Sequence, residues 1–168
     1  MEQSAEIALQ IPRLRRYARA LTGEHAAADD LVQDTLERAL SKFHLWRPGS
    51  NMRAWVFTIM HNVYVNQLRA RIARPERESD DAAFEVQVRA DQDDALEIRD
   101  LHQALRQLPD EQREVLLLVG LEQLTYGETA KVLGIPIGTV MSRLARGRER
   151  LRAALAGKPV VTHLKAVK

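Results

Sequence analysis

The chain contains no cysteine, which excludes a disulfide framework and any thiolate metal site and agrees with a reducing cytosol. Its longest apolar runs, such as "VLLLVGL" at Val115–Leu121, fall far short of the roughly 20 residues that cross a bilayer. The opening "MEQSAEIALQIPRLRR" sets an acid before a short apolar run and arginines after it, the reverse of a secretory signal. We therefore expect no signal peptide, no membrane insertion and a cytoplasmic protein. No window alternates with period two, so strands are not expected. His25, His44, His61, His102 and His163 show no ligand spacing, and Ser142 has no histidine and carboxylate constellation around it. No metal, no cofactor and no catalytic residue are expected. What remains, at 168 residues, 45% hydrophobic and 29% charged, has the balance of an ordinary globular chain of one domain or two small ones.

Acid is missing where base is dense. Residues 47–74 hold five arginines (Arg47, Arg53, Arg69, Arg71, Arg74) and no carboxylate; residues 75–97 hold nine acids against Arg77 and Arg89. Residues 125–158 then hold seven bases against Glu128 and Glu149. A single block of charge is usually a solvated face, but the order basic, acidic, basic describes two modules suited to a polyanion with an acidic strip between them.

Apolar residues recur at spacings of three and four from Ile11 to Leu21, Ala26 to Phe43, Met52 to Ile72 and Ala95 to Leu108, so the fold class is all-α. Stops fall at Thr22-Gly23, Arg47-Pro48-Gly49-Ser50, Pro75, Leu108-Pro109-Asp110 and Gly134-Ile135-Pro136. The acidic stretch has too few large apolar residues for a core of its own. The organisation expected is two small helical domains, 1–74 and 95–157, a flexible acidic linker at 75–94 and a tail at 158–168.

In the second domain, "LTYGETAKVLGIPIGTVMSRLARGRERLRAAL" reads as a helix over Thr125–Leu133, a turn at Gly134-Ile135-Pro136 and a longer helix from Ile137. Val140, Leu144, Leu151 and Leu155 fall along one side of that helix, while Thr139, Ser142, Arg143 and Arg146 face outward. Glycine supplies the left-handed turn and proline a helix start, giving a helix-turn-helix. Its second helix fits a major groove, where arginine pairs with guanine. An ordinary helical hairpin with a basic face would look similar, apart from the run Arg143, Arg146, Arg148, Arg150, Arg152.

"NMRAWVFTIMHNVYVNQLRARIAR", residues 51–74, combines large rings, amides and unopposed positive charge. Asn62 and Asn66 are four apart and neighbours on one face; an amide offers both donor and acceptor to an unstacked base. Trp55 and Phe57 lie about 200° apart around a helix, so one packs inside and the other lies outward. The alternative is two core rings with solvated asparagines. Asp30, Gln33, Asp34 and Glu37 form a negative stripe opposite Leu31, Val32, Leu36, Ala39, Leu40 and Phe43. Within a DNA-binding domain such a stripe should face a protein, although a plain amphipathic surface helix has the same pattern.

"ADDLVQDTLERAL" with "NMRAWVFTIMHNVYVNQLR" resembles region 2, and "LPDEQREVLLLV" with the helix-turn-helix resembles region 4, of the extracytoplasmic-function (ECF) sigma factors of the sigma-70 family. The resemblance covers roughly residues 10–157. It implies a bacterial alternative sigma factor that binds core RNA polymerase and promoter DNA, serving a stress or envelope response. By the same resemblance Asp30, Gln33, Asp34 and Glu37 dock on the polymerase clamp coiled coil. Arg53, Trp55, Asn62, Asn66, Arg69 and Arg71 (with Arg74 nearby) open and hold the −10 element, and Thr139, Met141, Ser142, Arg143 and Arg146 meet the −35 element. The linker would run through polymerase toward the RNA exit path. A dedicated anti-sigma factor would bind the chain 1:1, the free chain being a monomer. Met141 departs from the family, which often has arginine there, and would offer an apolar contact to a thymine methyl. "WRPGSNMRAWVFTI" and "LPDEQREVLLLVG" look especially like the subgroup governing general stress responses in alphaproteobacteria, wording that neighbouring subgroups share. Two rivals from other classes remain: a dimeric helix-turn-helix regulator with residues 1–74 as effector domain, and an adaptor copying one sigma domain.

Overall fold

The computed structural model describes residues 2–74 and 92–157. Most of the acidic linker, the tail 158–168 and His163 lie outside the described residues, as does the expected channel role of the linker acids. Among the described residues there are eight α-helices and no strand: α1 (Glu2–Ala8), α2 (Ile11–Thr22), α3 (His25–Ser41), α4 (Met52–Ala73), α5 (Gln92–Arg106), α6 (Asp110–Gly120), α7 (Tyr126–Leu133) and α8 (Ile137–Leu155), with a short 3₁₀ turn at Phe43–Leu45.

The helices fall into two groups. In the first, α3 packs on α2, α4 and α1; in the second, α8 packs on α6, α7 and α5. The groups then meet through α4 against α7 and α2 against α5 and α6. α4 starts where Asn51 Oδ1 accepts the Ala54 N–H at 3.2 Å, an N-cap that satisfies one of the helix's free donors. It buries Val56, Phe57, Ile59, Met60, Val63 and Tyr64, each large side chain contributing about 1.5–3 kcal/mol by leaving water. α2 ends at Gly23, left-handed at φ 72°, whose N–H bonds the Arg19 carbonyl.

α7 opens with a reciprocal cap: Thr125 Oγ1 accepts from the Glu128 N–H at 3.1 Å and the Thr125 N–H donates to Glu128 Oε1 at 3.1 Å. Gly134 closes it at φ 64°. Thr125 is thus the cap and not the first helical residue. At Gly147, buried on α8, a Cβ would lie 3.4 Å from the Gln112 carbonyl oxygen and 3.5 Å from Leu116; glycine here lets α8 lie close on α6.

Two expectations need correction. Leu40, grouped with the apolar face of α3, is 52% exposed, and Leu155, grouped with that of α8, is 50% exposed. Leu40 lies about 100° round the helix from fully buried Ala39, beside exposed Gln33 and Glu37, and Leu155 is the last residue of its helix. The first residues, to which no element was assigned, form α1, held by a buried Ile7.

Arg113 pins the turn between α5 and α6. Its guanidinium donates to the carbonyl oxygens of Leu105 (2.9 Å), Leu108 (2.8 Å), Arg106 (3.3 Å) and Leu21 (3.2 Å) and to Asp110 (3.0 Å). Arg113→Ala strands those carbonyls, so urea unfolding should register a loss of about 3 kcal/mol. Arg113→Lys should recover only part of it, since an ammonium lacks the planar fork.

Candidate polymerase and nucleic-acid interfaces

α3 places Asp30, Gln33, Asp34 and Glu37 in solvent, while Leu31, Val32, Thr35 and Ala39 are buried on the opposite side. Thr35, a polar residue in that buried row, satisfies its hydroxyl on the Leu31 carbonyl at 2.6 Å. Exposed Leu40 continues the acidic stripe as an apolar end. Of the four stripe residues, Asp34 alone bonds another side chain among the described residues, accepting from Gln67 Nε2 at 3.1 Å.

On α4 the two rings separate as their spacing requires. Phe57 is core, edge-on to Tyr17 at 5.1 Å and 80°. Trp55 is half-buried, edge-on to Phe43 at 6.2 Å and 85°, and Phe43 also meets Trp46 at 5.4 Å. Trp46 is a member of this aromatic group that sequence reasoning missed, and its buried Nε1 has no partner. Asn62 and Asn66 are both exposed, and neither side chain has a hydrogen bond among the described residues. Arg69, Arg71 and Arg74 are exposed past them and Arg53 is half-buried. The amides and the guanidinium groups thus lie along one helix, with the tryptophan at its start.

On α8, Val140, Leu144 and Gly147 are buried. At about 100° per residue, Gly138, Ser142, Ala145 and Glu149 form the opposite face, flanked by Met141 and Arg146, and all six are exposed. Met141, 53% exposed, is an apolar side chain offered to solvent. Arg143 and Thr139 lie toward the edge of that face and are half-buried. Arg143 reaches Glu111 of α6 at 3.6 Å, a pairing that sequence reasoning did not contain. Ser142 Oγ donates to the Thr139 carbonyl at 3.2 Å, leaving its lone pairs free.

Among the described residues no group of histidine and acidic side chains has metal-binding geometry, and no helix is long and apolar enough to cross a membrane.

Two family models match in chain order: "Sigma2 domain of PhyR" over residues 7–61 and "Sigma-70, region 4" over residues 98–151. The chain is 40% identical over 152 residues to the ECF RNA polymerase sigma factor EcfG of Rhodopseudomonas palustris, covering 89% of this chain and 83% of that protein. The chain belongs to the ECF RNA polymerase sigma factors. Among solved structures, this sigma factor resembles RpoE of Bartonella quintana, determined in complex with the anti-sigma factor NepR, with TM-score 0.78 and 36% identity over 90% of this chain and 95% of that one. It also resembles CnrH in complex with the cytosolic domain of CnrY, with TM-score 0.68 and 25% identity over 92% and 88% of the two chains. An ECF sigma factor is a DNA-binding initiation factor that directs RNA polymerase to promoters, and the all-α two-group architecture is the one its solved relative has.

Proposed function

We propose that residues 1–74 form the half that binds core polymerase and melts the −10 element, that 95–157 form the half that reads the −35 element, and that 75–94 link them. The observation that carries this is the pair of unspent amides, Asn62 and Asn66, exposed on the same helix as Trp55 and three exposed arginines. A solvated helix does not need the ring, and a core helix would not leave the amides unpaired. Arg53, Arg69 and Arg71 supply phosphate contacts, which position the strand without reading it. Asp30, Gln33, Asp34 and Glu37 meet polymerase. The chain works as a cytoplasmic initiation factor with no active site of its own, the bond-forming chemistry being that of the polymerase.

For the −35 element, Met141, Ser142 and Arg146 are the readers. Thr139 and Arg143, at the edge of the face, serve the backbone, Arg143 being aimed by Glu111. Arg146→Ala should therefore cost about 1–3 kcal/mol on the preferred sequence and relax the preference at one base pair. Arg143→Ala should instead weaken all sequences alike and flatten the salt dependence. Binding titrations on a preferred and a scrambled −35 element, with core enzyme present, separate the two. Equal loss from Arg146→Ala on both sequences would remove it from the readers, and no loss from either variant would remove α8 from the groove. Site-selective binding should need core enzyme; selective binding by a dimer alone would favour the helix-turn-helix regulator.

The free chain is monomeric and its negative partner is an anti-sigma factor bound 1:1, a reading supported by the anti-sigma complexes in which both solved relatives were determined. The Asp30–Glu37 stripe stays exposed when the two helical groups are together, so the anti-sigma factor itself must cover it. Its apolar helices would gain little from the leucines of "EVLLLVGL", of which Leu117 and Leu118 are core. Competition is the expected result: pulled-down partner should be displaced by core polymerase. Simultaneous binding of both would mean that control acts on the amount of the protein instead.

A further inference from the structure

Two apolar side chains stand together in solvent at the start of α8. Ile137 is 52% exposed and Met141 53%. Four residues apart, they are neighbours on the helix surface, with about 5–6 Å between Cβ atoms. A lone exposed apolar residue needs no explanation; two side by side on an otherwise basic and polar face do.

The charge around the pair suits a polyanion. From Tyr126 to Arg148 the sequence sets Lys131, Arg143, Arg146 and Arg148 against one carboxylate, Glu128, and Glu128 is engaged in the cap of α7. At about 100° per residue, Ile137 and Met141 lie on one flank of the exposed face of α8, and Arg143 and Arg146 lie on the other. An apolar protein surface laid on this face would strip water from the cations without replacing it, whereas a duplex meets them with its phosphates.

Gly138, between the two flanks, points the same way. It is exposed, and a Cβ built on it would meet nothing within 4 Å. Its φ is not among the positive ones. No neighbour inside the fold therefore requires glycine there, although alanine is the better helix former. What the missing Cβ gains is a closer approach by whatever lies outside the helix.

Of the groups that mark the four bases at the major-groove edge, the C5 methyl of thymine is the apolar one; the rest are hydrogen-bond donors and acceptors. Ile137 and Met141 are about 6 Å apart along the helix axis, which spans one to two base-pair steps of about 3.4 Å.

We infer that Ile137 and Met141 together read the methyl groups of two thymines, one or two steps apart in the −35 element, and that Gly138 lets the helix come close enough for both contacts. This rests on the −35 reading proposed above. It adds Ile137 and Gly138 to that reading, with hydrophobic contact setting the preference on one flank of α8 and hydrogen bonds from Arg146 setting it on the other.

Replacing thymine with uracil tests this while every base-pairing group is kept, since the two bases differ by the methyl alone. The chain with core polymerase is titrated on duplex fragments of a promoter that it selects, each −35 thymine on either strand being changed in turn to deoxyuridine. Two positions should lose about three- to fivefold in affinity, the worth of one buried methyl group, and both together more than tenfold. Met141→Ala should abolish the uracil penalty at one of these positions and Ile137→Ala at the other, each variant keeping the penalty it does not touch. Both penalties are ratios within one variant, so a change in folding or in core binding cancels. Gly138→Ala should melt no lower than the parent yet bind at least tenfold more weakly.

Uracil without effect at every position, while a scrambled −35 element still binds less well, would overturn the methyl reading and leave the −35 reading standing. Uracil penalties unchanged in Ile137→Ala and Met141→Ala, or Gly138→Ala binding as tightly as the parent, would overturn it too. A scrambled element bound as well as the intact one would mean that the −35 reading itself had failed, and this inference with it.

Discussion

Core polymerase should no longer co-purify with a chain in which Asp34 and Glu37 are both lysine. The two carboxylates stand in solvent on α3, one turn apart, while the buried row Leu31, Val32, Thr35 and Ala39 holds the helix to its neighbours. Surface replacements outside a network shift stability by about 0.5 kcal/mol or less, and the hydrogen bond given up is that from Gln67 to Asp34. Melting temperature and helix content should thus stay near those of the parent. At the polymerase surface the change is a reversal of four charge units, from two acids to two bases, against a face that must be basic to receive the stripe. Like charges brought together at an interface cost several kcal/mol, so the loss should exceed a hundredfold and lessen with added salt. Exposed Leu40 should contribute separately: Leu40→Ser would weaken binding without altering the salt dependence. Unchanged co-purification of the double lysine variant would put the docking surface elsewhere.

Replacing Asn62 and Asn66 with alanine should leave stability intact or slightly raised, since neither amide has a hydrogen bond among the described residues and alanine is the better helix former. Opening of a duplex promoter should nevertheless slow by about one to two orders of magnitude, because extruding a base costs a few kcal/mol and the amides that would hold it are gone. A template whose −10 region is already mismatched carries no such cost and should be transcribed nearly as well as by the parent. The ratio of duplex to mismatched activity is the quantity to measure. Equal losses on both templates, together with a lower melting temperature, would assign the asparagines to packing.

Periodicity and stop signals located α2, α3, α4 and the helix-turn-helix to within a residue or two and α5 to within three, because each buries one face and ends at glycine, proline or a cap. The same periodicity required one of Trp55 and Phe57 to pack inside without saying which; the fold buries Phe57 and leaves Trp55 half-buried. It misplaced Leu40 and Leu155, since the pattern does not say how wide the buried row is, and Leu40 lies at its edge beside buried Ala39, nor that contact lapses at a helix's last residue, where Leu155 stands. The contacts between the two helical groups, Arg16 with Glu122, His61 with Glu114 and Tyr64 with Asp110, were not legible as pairings, for the partners lie 46 to 106 residues apart. One signal was present: Glu114 shares a face with Leu117, Leu118 and Leu121, and a carboxylate in an apolar row needs a base from elsewhere. Nothing in the order of residues named His61 as that base. Likewise nothing in the sequence singled out Glu111, and its pairing with Arg143 needed the fold.

Run-off transcription with purified core polymerase tests the central claim most directly. On a genomic library of short promoter fragments, the chain added to core enzyme should yield discrete transcripts from a subset sharing one −35 and one −10 sequence, where core enzyme alone yields none. If the transcript pattern is the same with and without the chain, or if the chain selects the same fragments equally well without polymerase, it does not act as a sigma factor.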